Sequence, residues 1–206
     1  METLKKILFV ACFSMLYFSA MAQSSSVMQA AFSRSYVSEQ AGNYTTAISD
    51  LKSVYKENDY VVNVRLGWLC YNAKQYAESI KYYDIAIALK PYAIEARFGC
   101  VKPLSAIENW EKVKAHYMQI LKIDPQNTVA NYWLGVIYYN RKEYANASNH
   151  FGKNFNLYPL DYDSVIMLAW SKLNSGKQAD ASILFNQALV IRPGDSSATS
   201  GLKQIK

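Results

Sequence analysis

Pro91, Pro125, Pro159 and Pro193 follow one another at a constant interval of 34 residues, and they are four of the five prolines in the chain. Spacing of this kind marks a stacked array, and this period is that of a helix–turn–helix unit. Such a unit cannot bury its apolar face alone, so neighbouring units must cover one another. The same constraint bears on function. An array of similar units exposes an elongated concave surface, better shaped for another macromolecule than for enclosing a small substrate.

Counting from the prolines sets unit boundaries at 60–93, 94–127, 128–161 and 162–195. A small-residue slot early in each first helix holds Gly67, Val101, Gly135 and Ala169. The second helices open on Tyr76, Trp110, Tyr144 and Gln178, followed three residues later by Ser79, Val113, Ala147 and Ala181. Four further on stand Tyr83, Tyr117, Phe151 and Phe185, then a small or apolar slot with Ala86, Ile120, Asn154 and Ala188. Apolar positions at i, i+3, i+4 and i+7 make one helix face. Small residues at a crossing let a neighbour's aromatic ring fill the gap. Proline then closes the unit, because it lacks the backbone donor and restricts the residue before it.

These positions resemble the tetratricopeptide repeat, whose pattern has a Leu-Gly pair, aromatic anchors, a small residue and a closing proline. Leu66-Gly67, Tyr76, Ser79, Tyr83, Ala86 and Pro91 fit it, as do Leu134-Gly135, Tyr138, Tyr144, Ala147, Phe151 and Pro159. Leu168-Ala169, Ala181, Phe185, Ala188 and Pro193 fit it too. An earlier unit at 28–59 fits through Gly42-Asn43-Tyr44, Ala47 and Leu51, with Asp59 in place of the closing proline. The resemblance implies an all-α, right-handed superhelical α-solenoid of five repeats over 28–195. Residues 196–206 are expected to form a capping helix or tail, begun by Asp195 or Ser196 as N-cap.

The N-terminus follows a different pattern. Lys5-Lys6, an apolar run from Ile7 to Phe18 and Ala20-Met21-Ala22 ahead of Gln23 have the order of a cleaved secretory signal over 1–22, with a short leader at 23–27. The apolar run is short for a membrane span, so no integral span is expected after cleavage. Without residues 1–22 the chain keeps 20 basic and 15 acidic side chains, a balance of +5. Scattered as it is, that charge is no nucleic-acid footprint. Cys70 and Cys100 fall at apolar helix positions and read as buried thiols, with a disulfide as the alternative in an oxidising compartment.

No catalytic, cofactor or metal constellation stands out. C-x-x-C, H-E-x-x-H, G-x-x-x-x-G-K-[ST] and G-x-S-x-G are all absent, and His116 and His150 lack the further ligands of a metal site. The expected role is a non-enzymatic interaction scaffold with no small-molecule substrate. In the repeats this chain resembles, the first helices line the concave face. That implies inward positions at Phe32, Tyr36, Val64, Trp68, Tyr71, Phe98, Lys102, Tyr132, Val136, Tyr139, Ile166 and Trp170. The partner-binding residues expected among them are Phe32, Tyr36, Trp68, Tyr71, Lys102, Tyr132, Tyr139 and Trp170, since Tyr and Trp bury large area with few rotors. Some related repeats clamp a C-terminal carboxylate with Lys and Asn. Here Trp68, Tyr71, Val136 and Trp170 occupy the groove, which favours an apolar or extended peptide.

The expected setting is exported, periplasmic or secreted, in a bacterial envelope or secretion assembly that includes a membrane-associated complex. A glycan-binding module and a self-associating structural subunit are the rival readings. Two local departures carry expectations of their own. Pro103 lies inside a first helix and predicts a kink between Gly99 and Leu104, while Asn154, polar in a core slot, predicts a bond to nearby backbone or looser packing there.

Overall fold

The computed structural model describes residues 25–205, in two compact units that divide between Pro91 and Tyr92. The signal expected at 1–22 and the first two residues of the leader lie outside the described residues.

The first unit holds α1 (residues 25–40), α2 (Tyr44–Lys52), α3 (Tyr60–Asn72) and α4 (Tyr76–Leu89). Its core gathers Ala47, Ile48, Leu51, Val62, Leu66, Leu69, Cys70 and Tyr82, with Phe32 and Trp68 packed at the margin. Asp59, where a proline would close the repeat, caps α3 instead. One of its carboxylate oxygens accepts from the amides of Val61 and Val62 at 3.0 and 3.1 Å.

The second unit holds α5 (Ile94–Ala106), α6 (Trp110–Ile123), α7 (Thr128–Asn140), α8 (Tyr144–Leu157), α9 (Tyr162–Asn174), α10 (Gln178–Ile191) and α11 (Ser196–Gln204). Each of Pro125, Pro159 and Pro193 stands two residues before a helix cap. Asn127, Asp161 and Asp195 accept from the amides of Ala130, Ser164 and Ala198 at 3.0, 3.1 and 2.7 Å. The proline ends one helix and the cap starts the next, so the period in the sequence is the period of the chain reversals.

Two helix pairs, α3–α4 and α7–α8, close through rings laid on glycine. A Cβ on Gly135 would stand 2.6 Å from the Phe151 ring, and one on Gly67 would stand 2.9 Å from the Tyr83 ring. The Ser79 hydroxyl donates to the Gly67 carbonyl at 2.7 Å, which leaves that buried crossing satisfied. At the C-terminal end the Phe185 ring covers Gly201 of α11, whose Cβ would meet it at 2.2 Å. The tail is therefore a helix packed on the stack.

Polar groups in the interior are tied to backbone. Asn131, fully buried, donates through Nδ2 to the carbonyls of Pro125 and Asn127, and its Oδ1 lies 2.9 Å from His150 Nδ1. That geometry assigns the proton to Nδ1. Burial, then the nearby Lys153, pushes His150 down to about 4, so the ring is neutral at neutral pH. Asn154 donates to the Thr128 carbonyl at 2.9 Å, which is the backbone bond expected of it. Its Oδ1, also buried, has no partner.

Pro103 does not interrupt α5, which runs on to Ala106 and ends where the Ile107 amide bonds the Pro103 carbonyl. The expected kink breaks no helix, and only three residues of α5 follow the proline. Cys70 and Cys100 are both buried thiols not joined in a disulfide, and burial raises the Cys70 thiol to about 11. Among the described residues, no helix is long and apolar enough to cross a membrane.

The ring-on-glycine contact makes a paired prediction. Gly135→Ala lowers stability in urea unfolding by about 1–3 kcal/mol, because the buried Phe151 ring must move. Gly152→Ala on α8, where a Cβ meets nothing within 4 Å, raises it by about 0.5–1 kcal/mol. Equal effects of the two changes would refute the packing account.

Candidate functional site

The wet face of α7 follows from its buried one. Ala130, Asn131, Leu134, Gly135 and Ile137 face the core. Val129, Trp133, Val136 and Asn140 follow at i, i+4, i+7 and i+11 on the other side, where Val129, Trp133 and Asn140 are exposed and Val136 is half-buried against the core. Trp133 is 47% exposed and Val129 50%. An open apolar row on a half-bare helix is unusual for a solvated surface.

Two cavities lie against this row and share Trp133 as a wall. The first, about 730 Å³, is bounded by the start of α7, the end of α8 and the loop into α9, with Leu157, Pro159 and Leu160 among its walls. The second, about 500 Å³, is bounded by Ser105, the α6 residues Trp110, Val113 and Tyr117, the α7 residues Trp133, Val136, Ile137 and Asn140, and Arg141 just after α7. At the second, Arg141 Nη2 meets Glu111 Oε1 at 2.6 Å, an ion pair at the surface. Both cavities are open and mainly apolar in lining, the usual composition of a binding cleft.

The expected binding residues divide between this site and the packing. Tyr132 lies in the first cavity, edge-on to Phe151 and Trp133 at 5.7 and 5.6 Å. Burial, then the carboxylates of Asp163 and Asp161, raises its phenol above the usual value. Tyr139 flanks the row and accepts from Asn174 Nδ2 at 3.0 Å, with its ring edge-on to Tyr144. Trp170 packs on Phe185 at 5.1 Å, and its Nε1 donates to Ser197 Oγ at 2.8 Å, so it ties α9 to α10 and α11. Lys102 is exposed on α5. Ile166, expected to face inward, is a core residue instead, only 8% exposed, because Val165, Leu168 and Ala169 around it share the same buried cluster.

In the first unit the expected residues form a tight cluster. Trp68 Nε1 donates to Glu39 Oε1 at 2.5 Å, and Arg65 Nη2 meets Glu39 Oε2 at 2.5 Å. The Arg65 contact is an ion pair by distance and not an aligned hydrogen bond. The Arg65 guanidinium also covers the Tyr36 ring at 3.8 Å. Tyr71 stands between the rings of Trp68 and Tyr76 at 6.2 and 6.1 Å, and Phe32 packs on the core. These contacts join α1 to α3, so much of the aromatic surface there is engaged in helix packing.

Trp133 and Trp110, missed as site residues from the sequence, are the two tryptophans left about half exposed. Trp133 shows itself only when α7 is drawn as a wheel. Trp110 opens α6 and is 48% exposed.

Residues 39–94 match the family model of the tetratricopeptide repeat. BBSome complex member BBS4 of Mus musculus is 24% identical over 153 residues, covering 70% of this chain and 29% of that protein. The chain thus spans under a third of that relative's length. Three solved structures are similar throughout. MamA protein has TM-score 0.70 and 16% identity, over 81% of this chain and 92% of its own. A tetratricopeptide repeat protein of Parabacteroides merdae has TM-score 0.73 and 18% identity, over 85% and 71%. YrrB, described as a TPR protein with an unusual peptide-binding site, has TM-score 0.70 and 12% identity, over 91% and 97%. At these identities the likeness is one of fold. The architecture is all-α, a tandem helix–turn–helix solenoid of tetratricopeptide type.

The division of aromatics is testable without a ligand. Trp170→Ala lowers stability by roughly 2–3 kcal/mol in chemical unfolding, through lost packing and the lost Ser197 bond. Trp133→Ala costs under about 1 kcal/mol, since half of that side chain is already in water. The reverse order would show that Trp133 is a packing residue.

Proposed function

We propose that this tetratricopeptide-repeat chain binds an extended segment of a partner protein along the α7 row, with Trp133 as the central anchor. The observation that supports this reading is the pair of apolar cavities meeting at one half-exposed tryptophan. Tryptophan supplies large contact area at small entropic cost, and a site flanked by open apolar clefts lets side chains on both sides of a peptide enter. Tyr132 and Lys102 would stand beside the bound segment. The peptide-binding site named for YrrB is a precedent for the mode, not for the partner.

The N-terminal pattern of Lys5-Lys6, the apolar run and Ala20-Met21-Ala22 supports export, and a periplasmic or secreted setting within an envelope or secretion assembly is part of the proposal. N-terminal sequencing of the protein isolated from its source cell should read from Gln23, whereas an intact Met1 in the isolated protein contradicts export. The five repeats at 28–59, 60–93, 94–127, 128–161 and 162–195 are proposed as the units of the scaffold.

The decisive comparison is in-cell crosslinking followed by capture from envelope fractions, with the wild-type chain against Trp133→Ala. Loss of one central aromatic anchor, worth about 2 kcal/mol or more, should cut the yield of the crosslinked partner at least about tenfold. Undiminished yield from the folded variant refutes the groove. A product that is glycan, or a second copy of this chain, would replace the peptide reading.

A further inference from the structure

We infer that the cavity at the α7–α8–α9 junction selects a cationic side chain, lysine or arginine, carried next to a large apolar residue on the bound segment. The inference rests on the groove reading above and adds its chemistry. Thr128, Val129, Tyr132, Trp133, Leu157 and Leu160 give the cavity a largely apolar wall, and none of the residues bounding it is cationic. Two carboxylates, Asp161 and Asp163, stand at its edge, and both raise the Tyr132 phenol inside it.

Charge arithmetic decides the sign. The N-termini of α7 and α9 also meet here, and each contributes about half a positive charge. Two carboxylates and the C-terminal half-charge of α8 outweigh the two positive half-charges, leaving a net negative charge of about one and a half, which suits a cation. The chain as a whole carries +6, so this spot runs against the molecule's own balance.

A second feature points the same way. Asn154, among the residues bounding the cavity, is only 4% exposed. Its Nδ2 is committed to the Thr128 carbonyl, which fixes the amide orientation, and its Oδ1 is a buried acceptor with no partner. Buried acceptors are costly when left unmade. An ammonium or guanidinium group supplies the missing N–H and answers the carboxylates in one move, while the neighbouring apolar side chain of the segment lies on Trp133. Arginine adds stacking on the indole face, and lysine lays its methylene stem along the walls.

The test pans a phage-displayed library of random linear dodecapeptides against the full chain, with counter-selection on Trp133→Ala. Selected peptides are then synthesised and measured by fluorescence anisotropy on wild type and on the Asp161→Asn/Asp163→Asn double variant. Asparagine caps a helix as well as aspartate does, so α9 keeps its start. The expected result is enrichment of Lys or Arg beside Leu, Phe or Trp, with binding to the double variant about five- to tenfold weaker at low salt. Trp133-dependent peptides with no basic enrichment, or with equal affinity for both proteins, overturn the cationic preference and leave the groove standing. Absence of any Trp133-dependent peptide overturns both.

Discussion

The close approach of two helices through an aromatic ring on a glycine sets the geometry of α3–α4 and of α7–α8. Phe151 can lie on α7 only because position 135 has no Cβ, and Tyr83 can lie on α3 only because position 67 has none. Once that face of α7 is committed to Phe151, the rotation of the helix is set. Val129, Trp133 and Asn140 then face outward, with Val136 half-buried at the edge of the core. Core packing thus places the binding row, with no separate device to present it.

The same commitment explains where polarity is tolerated. Asn131 bonds two carbonyls of the preceding turn and orients His150, which burial keeps neutral at physiological pH. Asn154 is half satisfied, bonded at Nδ2 and bare at Oδ1. An alanine occupies the corresponding slot at 86 and 188, so the asparagine is an exception that the packing does not require. Natural chains keep such groups at a cost in stability, and a use for them is the economical explanation.

Much of the fold was legible because it repeats. The helix starts at Tyr60, Ile94, Thr128, Tyr162 and Ser196 fall at the interval shown by the prolines. Each cap also sits at a fixed offset from its proline where one is present. The site was less legible for the opposite reason. Trp133 has Arg65, Gly99 and Met167 at the matching positions, so comparing units hides it. Trp68 and Trp170 stood out as aromatics on first helices, yet their ring nitrogens are bonded to Glu39 and Ser197. Periodicity reports which positions touch the core; it does not report which side chains find a partner across a helix pair. The left-handed turn residues behave similarly. After the helices that end at Asn72 and Asn140, the positive φ falls two residues on, at Lys74 and Lys142, where the sequence carries no glycine to mark it.

The central claim is that the accessible aromatic surface is centred on Trp133 and not on the tryptophans that join helices. Proton exchange at the four indole Nε1–H groups, read residue by residue in ¹H–¹⁵N spectra, tests it most directly. The account predicts slow exchange at Trp68 and Trp170, whose indoles donate to Glu39 and Ser197, and fast exchange at Trp110 and Trp133. A protected Trp133, or a Trp170 that exchanges as fast as Trp133, would contradict it.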